Sequence, residues 1–332
     1  MTPSLNFLDT QGYPAYAQSL KKGILINQRF KRTNQEGSTM KRVLQWALFG
    51  GFIWFLTLGG NTAAIAQSSG STCTRESLKT ITDKFFTALE AHNTSSLPLA
   101  SGVKYTENGI AVAIGKGVWE TAGKTTFKRG LIDTQKCGTH TQAIIEEDGK
   151  PMLYGVRLKI DEEKISEIEA IVIRGEQVLD VKAILDTKDQ DWEDILPPEQ
   201  RSSRLAMMAA ADDYFELFVK EEKPKVSVLP FVGICDRWEN GMQTTKGGTF
   251  EGVEIPAHNC SPVGFADMTH GPRRFLVDVE TGTVVAYTLF NNVWPDFHMF
   301  RMRNGKVEWI QAYFEYSKEY ESIGWPAEPA CK

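Results

Sequence analysis

Five short segments recur in the same order along the 332-residue chain, and this internal echo constrains the fold more than any other feature. Asp83-Lys84-Phe85-Phe86 returns as Asp212-Asp213-Tyr214-Phe215, and Leu97-Pro98 returns as Leu229-Pro230. Tyr105-Thr106-Glu107-Asn108-Gly109 returns as Arg237-Trp238-Glu239-Asn240-Gly241, Cys137 as Cys260, and the segment 164–170 as 306–312. The first three offsets are 129, 132 and 132 residues, about one ordinary domain length. The echo predicts two tandem copies, residues 73–174 and 205–325, joined by a polar, proline-bearing linker over 175–204 that carries a short helix, with 326–332 as a tail.

Each copy opens on a helical period. Leu78, Ile81, Phe85, Phe86 and Leu89 repeat every three to four residues, as do Leu205, Met208, Ala211, Tyr214, Phe215 and Phe218. An extended segment ending at Glu-Asn-Gly follows, and long hairpins close each copy. They are 153–160 with 164–173 in the first, and 274–279 with 283–290 and 297–303 with 306–316 in the second. A helix followed by a meandering antiparallel sheet predicts the α+β class, with each sheet curled into a cone around its helix and a pocket inside.

Upstream, Met40-Lys41-Arg42 is a basic start, Val43 to Gly60 is apolar, and Ala64-Ile65-Ala66 is a small-x-small site. Residues 40–66 therefore read as an export signal, or as an anchor if left uncleaved, and 1–39 as an extension or an overlong start. Both readings put the remainder outside the cytoplasm, secreted or periplasmic. Removing residues 1–66 leaves 30 basic against 40 acidic side chains, a formal net charge of −10. Such a surface repels phosphate backbones and anionic lipid, so nucleic acid is excluded as a partner and a membrane enters only through the N-terminal segment.

All five cysteines follow that segment, and an oxidising compartment permits disulfides. The expected pairing is Cys73 with Cys137 and Cys235 with Cys260, one per copy, leaving Cys331 over. With no C-x-x-C pair and five scattered histidines, no metal site is expected, and no cofactor.

Helix, Glu-Asn-Gly segment and closing hairpins together resemble the nuclear-transport-factor-2-like (NTF2-like) superfamily, with its polyketide-cyclase-like (SnoaL-like) and ketosteroid-isomerase-like members. Cys73, Leu97-Pro98-Leu99-Ala100, Asp133-Thr134 with Cys137, Cys235 to Gly241, Val277 to Val285 and Gly324-Trp325 resemble, more closely, a family of secreted fungal and bacterial proteins of unknown function. The resemblance implies an exported tandem NTF2-like fold. It carries over no catalytic residue, because no position matches the superfamily's catalytic motifs one for one.

Candidate chemistry falls mainly in the second copy. Glu239 and His270 are the candidate acid/base residues; Arg237, Asn240 and Arg273, with Tyr105, Glu107 and Asn108 in the first copy, are the candidate ligand contacts. Against this, Asn-Gly is also turn chemistry that a Glu braces, His298 reads as a core histidine, Asp133 as a turn cap, and Arg274 and Asp278 lie on one strand face where they would pair. Nucleophile elbows, phosphate loops and dinucleotide fingerprints are missing. The expected function is binding of a small, partly apolar molecule in the second copy. The alternatives are an isomerase, dehydratase or cyclase, and a non-catalytic assembly or scaffold module whose copies pack on each other or on a partner subunit; a small-molecule ligand and a homo-oligomer are the partners expected.

Overall fold

A computed structural model describes residues 73–218, 231–250, 253–254, 256–262, 269–290 and 294–316. The extension, the export segment, Cys331 and the 326–332 tail lie outside the described residues, as does Gly324-Trp325.

Thr74 caps the first helix, α1 (Arg75–Glu90), by accepting from Ser77 N at 3.1 Å, and the helix buries Leu78, Ile81, Phe85, Phe86 and Leu89 as its period requires. Strands β1 (Leu99–Glu107) and β2 (Ile110–Ala111), a one-turn helix α2 (Val118–Thr121), and β3 (Ala122–Asp133), β4 (Gly138–Glu147), β5 (Lys150–Asp161) and β6 (Lys164–Ile173) follow. They form one six-stranded sheet of order β2-β1-β6-β5-β4-β3. A short helix, α3 (Val181–Leu185), leads to α4 (Arg204–Glu216), capped by Ser203.

The remaining strands are β7 (Phe231–Glu239), β8 (Met242–Gln243), the small pair β9 (Thr249–Phe250) and β10 (Val253–Glu254), then β11 (Arg274–Asp278), β12 (Thr283–Phe290), β13 (Trp294–Arg303) and β14 (Lys306–Phe314). The second large sheet has the order β11-β12-β13-β14-β7-β8, which is the first sheet's order element for element. Neither is the purely antiparallel meander expected. β1 runs parallel to β6 and β7 parallel to β14, because the closing hairpin returns to the first strand from the same end.

Period two gives each sheet two working faces. On β5, Met152, Tyr154, Val156, Leu158 and Ile160 join α1 in one core, while Leu153 faces the other way. On β13, Phe300 and Met302 pack with α4, and Phe297 and Met299 face the first sheet. The third core, between the sheets, holds Leu131, Ile144, Leu153, Leu276, Val285 and Phe297, with Ile184 and Trp192 from 175–204. That segment is thus more than a polar spacer: Trp192 is 1% exposed and lies 5.8 Å from the Trp309 ring.

One strand-face reading and one helix-face reading are corrected by the packing. Arg274 does not pair with Asp278; it reaches across to Glu169 at 2.7 Å, and Asp278 takes Arg75 at 2.5 Å. Leu205 is 67% exposed, because α4 turns Met207, Ala210 and Ala211 inward instead. Asp133 caps its turn, as read, by accepting from Gln135 N and Lys136 N, both at 3.1 Å.

Both expected disulfides form, Cys73–Cys137 and Cys235–Cys260. Two such bonds fit an oxidising, extracytoplasmic compartment. Among the described residues no helix is long and apolar enough to cross a membrane.

Candidate functional site

The face of the second sheet under α4 brings together polar residues from four elements. Arg237 and Glu239 are two apart on β7, so they point the same way, and Arg237 Nε lies 3.3 Å from Glu239 Oε2. Arg237 also donates to Thr244 Oγ1 (2.8 Å), Tyr214 Oη on α4 (2.9 Å) and the Cys260 carbonyl (3.3 Å). This guanidinium is 1% exposed and is held on several sides.

Asp296 and His298, again two apart, line the same interior from β13. His298 Nδ1 and Asp296 Oδ1 are 2.7 Å apart, and both side chains are wholly buried. Burial, reinforced by the nearby charge of Glu239, pushes the Asp296 carboxyl well above the usual range. Burial pushes the His298 imidazole down to about 3, so it is neutral at ordinary pH. His270, beside β12, is also pushed down to about 3, chiefly by burial and then by the charge of Arg273. Its ring lies 4.6 Å from Phe290 and 5.2 Å from both Phe215 and Phe218, so it is no solvated loop residue.

Four polar atoms here are buried without a hydrogen-bond partner: Glu239 Oε2, Asp296 Oδ2, His298 Nε2 and His270 Nε2. Buried polar atoms of this kind cost roughly 1–3 kcal/mol each, and these four lie on one aromatic face, which makes that face the candidate site. Sequence reasoning reached Glu239, Arg237 and His270. It missed Asp296 and Tyr214, and it took His298 for simple core. The available signal was Asp296 and His298 at alternate positions of a strand that is otherwise apolar or aromatic there.

The other candidates sit elsewhere. Asn240 donates to the Phe314 carbonyl (2.9 Å) and accepts from Phe314 N (3.0 Å); Asn108 does the same with Val172, at 2.9 and 2.7 Å. Both take positive φ, 45° and 49°, so these amides tie the Glu-Asn-Gly turns to the closing strands. Arg273 binds Glu216 (2.6 Å) and Asp212 (3.3 Å) and covers the Phe215 ring at 5.3 Å.

Tyr105 donates to Glu107, whose Oε1 accepts from Val118 N at 2.6 Å and so closes the start of α2. Because Asn108 and Asn240 make the same contacts, Val172 on β6 corresponds to Phe314 on β14. Their cross-strand partners are Tyr154 and Asp296, and two residues on, Val156 corresponds to His298. The first interior is therefore apolar and aromatic where the second is ionisable, with Phe85 5.4 Å from Trp119 and Phe86 6.4 Å from Tyr154.

A surface groove of about 380 Å³ on α1, lined by Thr80, Asp83, Lys84, Thr87 and Ser96, contains none of these residues. Among the described residues no group of three His, Cys, Asp or Glu side chains is placed to hold a metal ion.

A helix followed by a six-stranded mixed sheet, which occurs twice here, is the α+β architecture that the NTF2-like resemblance implies. Residues 200–314 match the family described as a domain of unknown function, DUF8021. The chain is similar to an NTF2-like protein of unknown function from Cytophaga hutchinsonii, at 9% identity over 29% of this chain and 88% of that one, with a TM-score of 0.26. It is similar to a de novo designed protein with a curved β-sheet (14% identity, 34% and 95% of the two chains, TM-score 0.26). An LEH-like epoxide hydrolase of M. tuberculosis is similar at 13% identity over 29% and 83% of the two chains, with a TM-score of 0.23. No curated protein matches the chain.

Proposed function

We propose that the chain is an exported pair of tandem cone-shaped NTF2-like modules, 73–174 and 205–325, and that the second binds a small, partly apolar molecule between α4 and its sheet. The carrying observation is the set of unpartnered atoms on Asp296, His298 and His270, beside the Glu239–Arg237 ion pair, inside an aromatic interior. Export is supported by the two disulfides together with the basic–apolar–small pattern of residues 40–66. Native mass spectrometry of the protein from its own host, with release of what it carries, tests the reading. A stoichiometric small molecule is expected, and a chain that is empty and takes up no added apolar compound would sink it.

A second reading, an isomerase, dehydratase or cyclase, is favoured by one further observation. Two carboxyl groups share the interior in unlike settings: Glu239 faces the Arg237 guanidinium, while burial pushes the Asp296 carboxyl well above its usual range. Such a pair supplies a general base and a general acid. Glu239 then takes a proton from the substrate, Asp296 returns one through its contact with His298, and Arg237 with Tyr214 steadies Glu239. Replacing Glu239 by Gln is expected to abolish conversion of the released compound while leaving its binding intact; unchanged conversion would remove Glu239 from the role.

A further inference from the structure

We infer that the Cys235–Cys260 disulfide is an oxidation-dependent latch on the second interior, seating the loop that holds Arg237 against Glu239. The inference rests on the binding reading above and adds how that site is regulated: its polar face is completed only where disulfides form.

Strand alternation carries the first step. Cys235, Arg237 and Glu239 are alternate residues of β7, so the sulfur, the guanidinium and the carboxylate share the face under α4. Cys260 returns to that face from the far end of the loop, and both cysteines are wholly buried in the core beneath α4. Its carbonyl accepts from Arg237 Nη1 at 3.3 Å, so the residue that closes the bond also holds the cation. The near arm of the loop offers Thr244 Oγ1 to Arg237 Nε at 2.8 Å. The two arms pair with each other: His258 N donates to the Thr245 carbonyl at 2.8 Å, and Gly247 N to the Pro256 carbonyl at 3.1 Å. Besides the disulfide, Cys235 N on the His258 carbonyl (3.0 Å) and the His258–Asp236 pair, whose imidazole is half exposed, fasten the far arm to β7.

The repeats do not share this bond. At the offset of 132 residues that matches Tyr105 to Arg237, Cys235 falls on Val103, which packs partly buried against the first core. The first copy instead joins Cys137 to Cys73, the residue before the cap of α1. There the Cys137 carbonyl accepts from Ile160 N at 2.8 Å, and Glu107 is held by Tyr105 and by Val118 N. A disulfide on the strand that carries the cation thus belongs to the copy whose interior is ionisable, which ties it to the site rather than to the shared fold.

Closing the bond takes two protons and two electrons from the Cys235 and Cys260 thiols, and a disulfide-bearing oxidant leaves as its dithiol. The two cysteines are 25 residues apart in sequence, and cross-linking that span favours the seated loop by about thirty-fold or more. In a reducing compartment the loop is released, and Arg237 loses the Cys260 carbonyl and the Thr244 hydroxyl that fix it beside Glu239.

Hydrogen exchange at the Arg237 Nε–H, followed by nitrogen-15 NMR of the full chain, reads the latch without any ligand. Arg237→Lys assigns the signal, and the Phe300 amide in the middle of β13 is the reference for global opening. In Cys235→Val/Cys260→Ala, which puts the first copy's valine on β7, Arg237 exchange is expected to quicken about thirty-fold or more relative to Phe300. In Cys73→Ala/Cys137→Ala the same ratio is expected to stay within about three-fold. Equal ratios in the two variants overturn the inference. Should the second-copy variant fail to fold, graded reduction of the unaltered chain by dithiothreitol serves, with mass spectrometry counting which pair has opened. Loss of the Arg237 signal with Phe300 retained is expected once Cys235–Cys260 opens. Loss of both together, or an Arg237 signal that outlives the bond, overturns the latch. Because no bound compound is needed, a failed latch leaves the binding reading standing, and an empty chain bears on that reading alone.

Discussion

Asp133 at the end of β3 accepts both terminal nitrogens of Arg204, the first residue of α4, at 2.9 and 2.7 Å, and the contact is mirrored by Arg75, the first residue of α1, on Asp278 at the end of β11. The exchange is reciprocal in the backbone too. Asp133 Oδ2 takes Val277 N at 2.8 Å, and Asp278 Oδ2 takes Ile132 N at 3.2 Å. Each sheet therefore anchors the other's helix start through a carboxylate that is 0% or 2% exposed.

Removing such a carboxylate strands a guanidinium and several N–H groups at once. Asp133→Ala is expected to cost about 3–5 kcal/mol in urea unfolding, whereas Lys79→Ala, which breaks an exposed pair with Asp83, stays within about 0.5 kcal/mol.

The sheets pack tightly where Gly155 of β5 meets Phe297 of β13, since a Cβ on Gly155 would overlap the ring. Gly155→Ala is expected to destabilise by about 1–3 kcal/mol, and Phe297→Leu in the same chain recovers part of that loss. Thermal unfolding of the two variants and the pair reads the coupling.

The amide of Asn240 carries two backbone hydrogen bonds to Phe314 and sits at positive φ. Asn240→Ala is expected to cost about 2–3 kcal/mol of stability. Affinity per folded molecule for a bound compound should change by less than about two-fold. A variant of full stability and lost affinity would instead make Asn240 a ligand contact.

Acid sensitivity follows from the buried histidines. His140, His270 and His298 are each pushed down to about 3 in the fold, and each recovers its ordinary value of about 6.5 in the unfolded chain. The unfolded state thus binds more protons below pH about 6.5, and stability falls as pH falls from there toward 3. Each histidine adds about 1.4 kcal/mol per pH unit to the slope. Asp296, pushed up, works in the opposite sense, favouring the fold below its unfolded value and losing that contribution as pH rises. His298→Val is expected to flatten the pH dependence of urea midpoints between pH about 6 and 4 by close to one histidine's share.

Much of the fold was legible because local rules write it into the chain. Thr74 and Ser203 cap helices in place, Asn-Gly turns take the positive φ that Asn and Gly tolerate, and alternation along 153–160 and 274–290 sets strands with two faces. The cysteine pairing was legible from one bond per repeat. The site was only half legible: Glu239, Arg237 and His270 were singled out, but Asn240 and Asn108 turned out to clamp backbone, and Asp296 was passed over.

The sequence by itself determined the helices, the hairpins, their twofold recurrence and the disulfide partners, since each depends on spacing or on residues close along the chain. Only the tertiary structure decided that β1 and β7 close their sheets in parallel, that Arg274 reaches Glu169, and that Asp296 and His298 on β13 feel the charge of Glu239 on β7. Those outcomes depend on which strands become neighbours and on how far water is excluded from them. A carboxyl group is pushed up, and a histidine pushed down, only once the surrounding residues have removed the solvent that would otherwise favour the charged form.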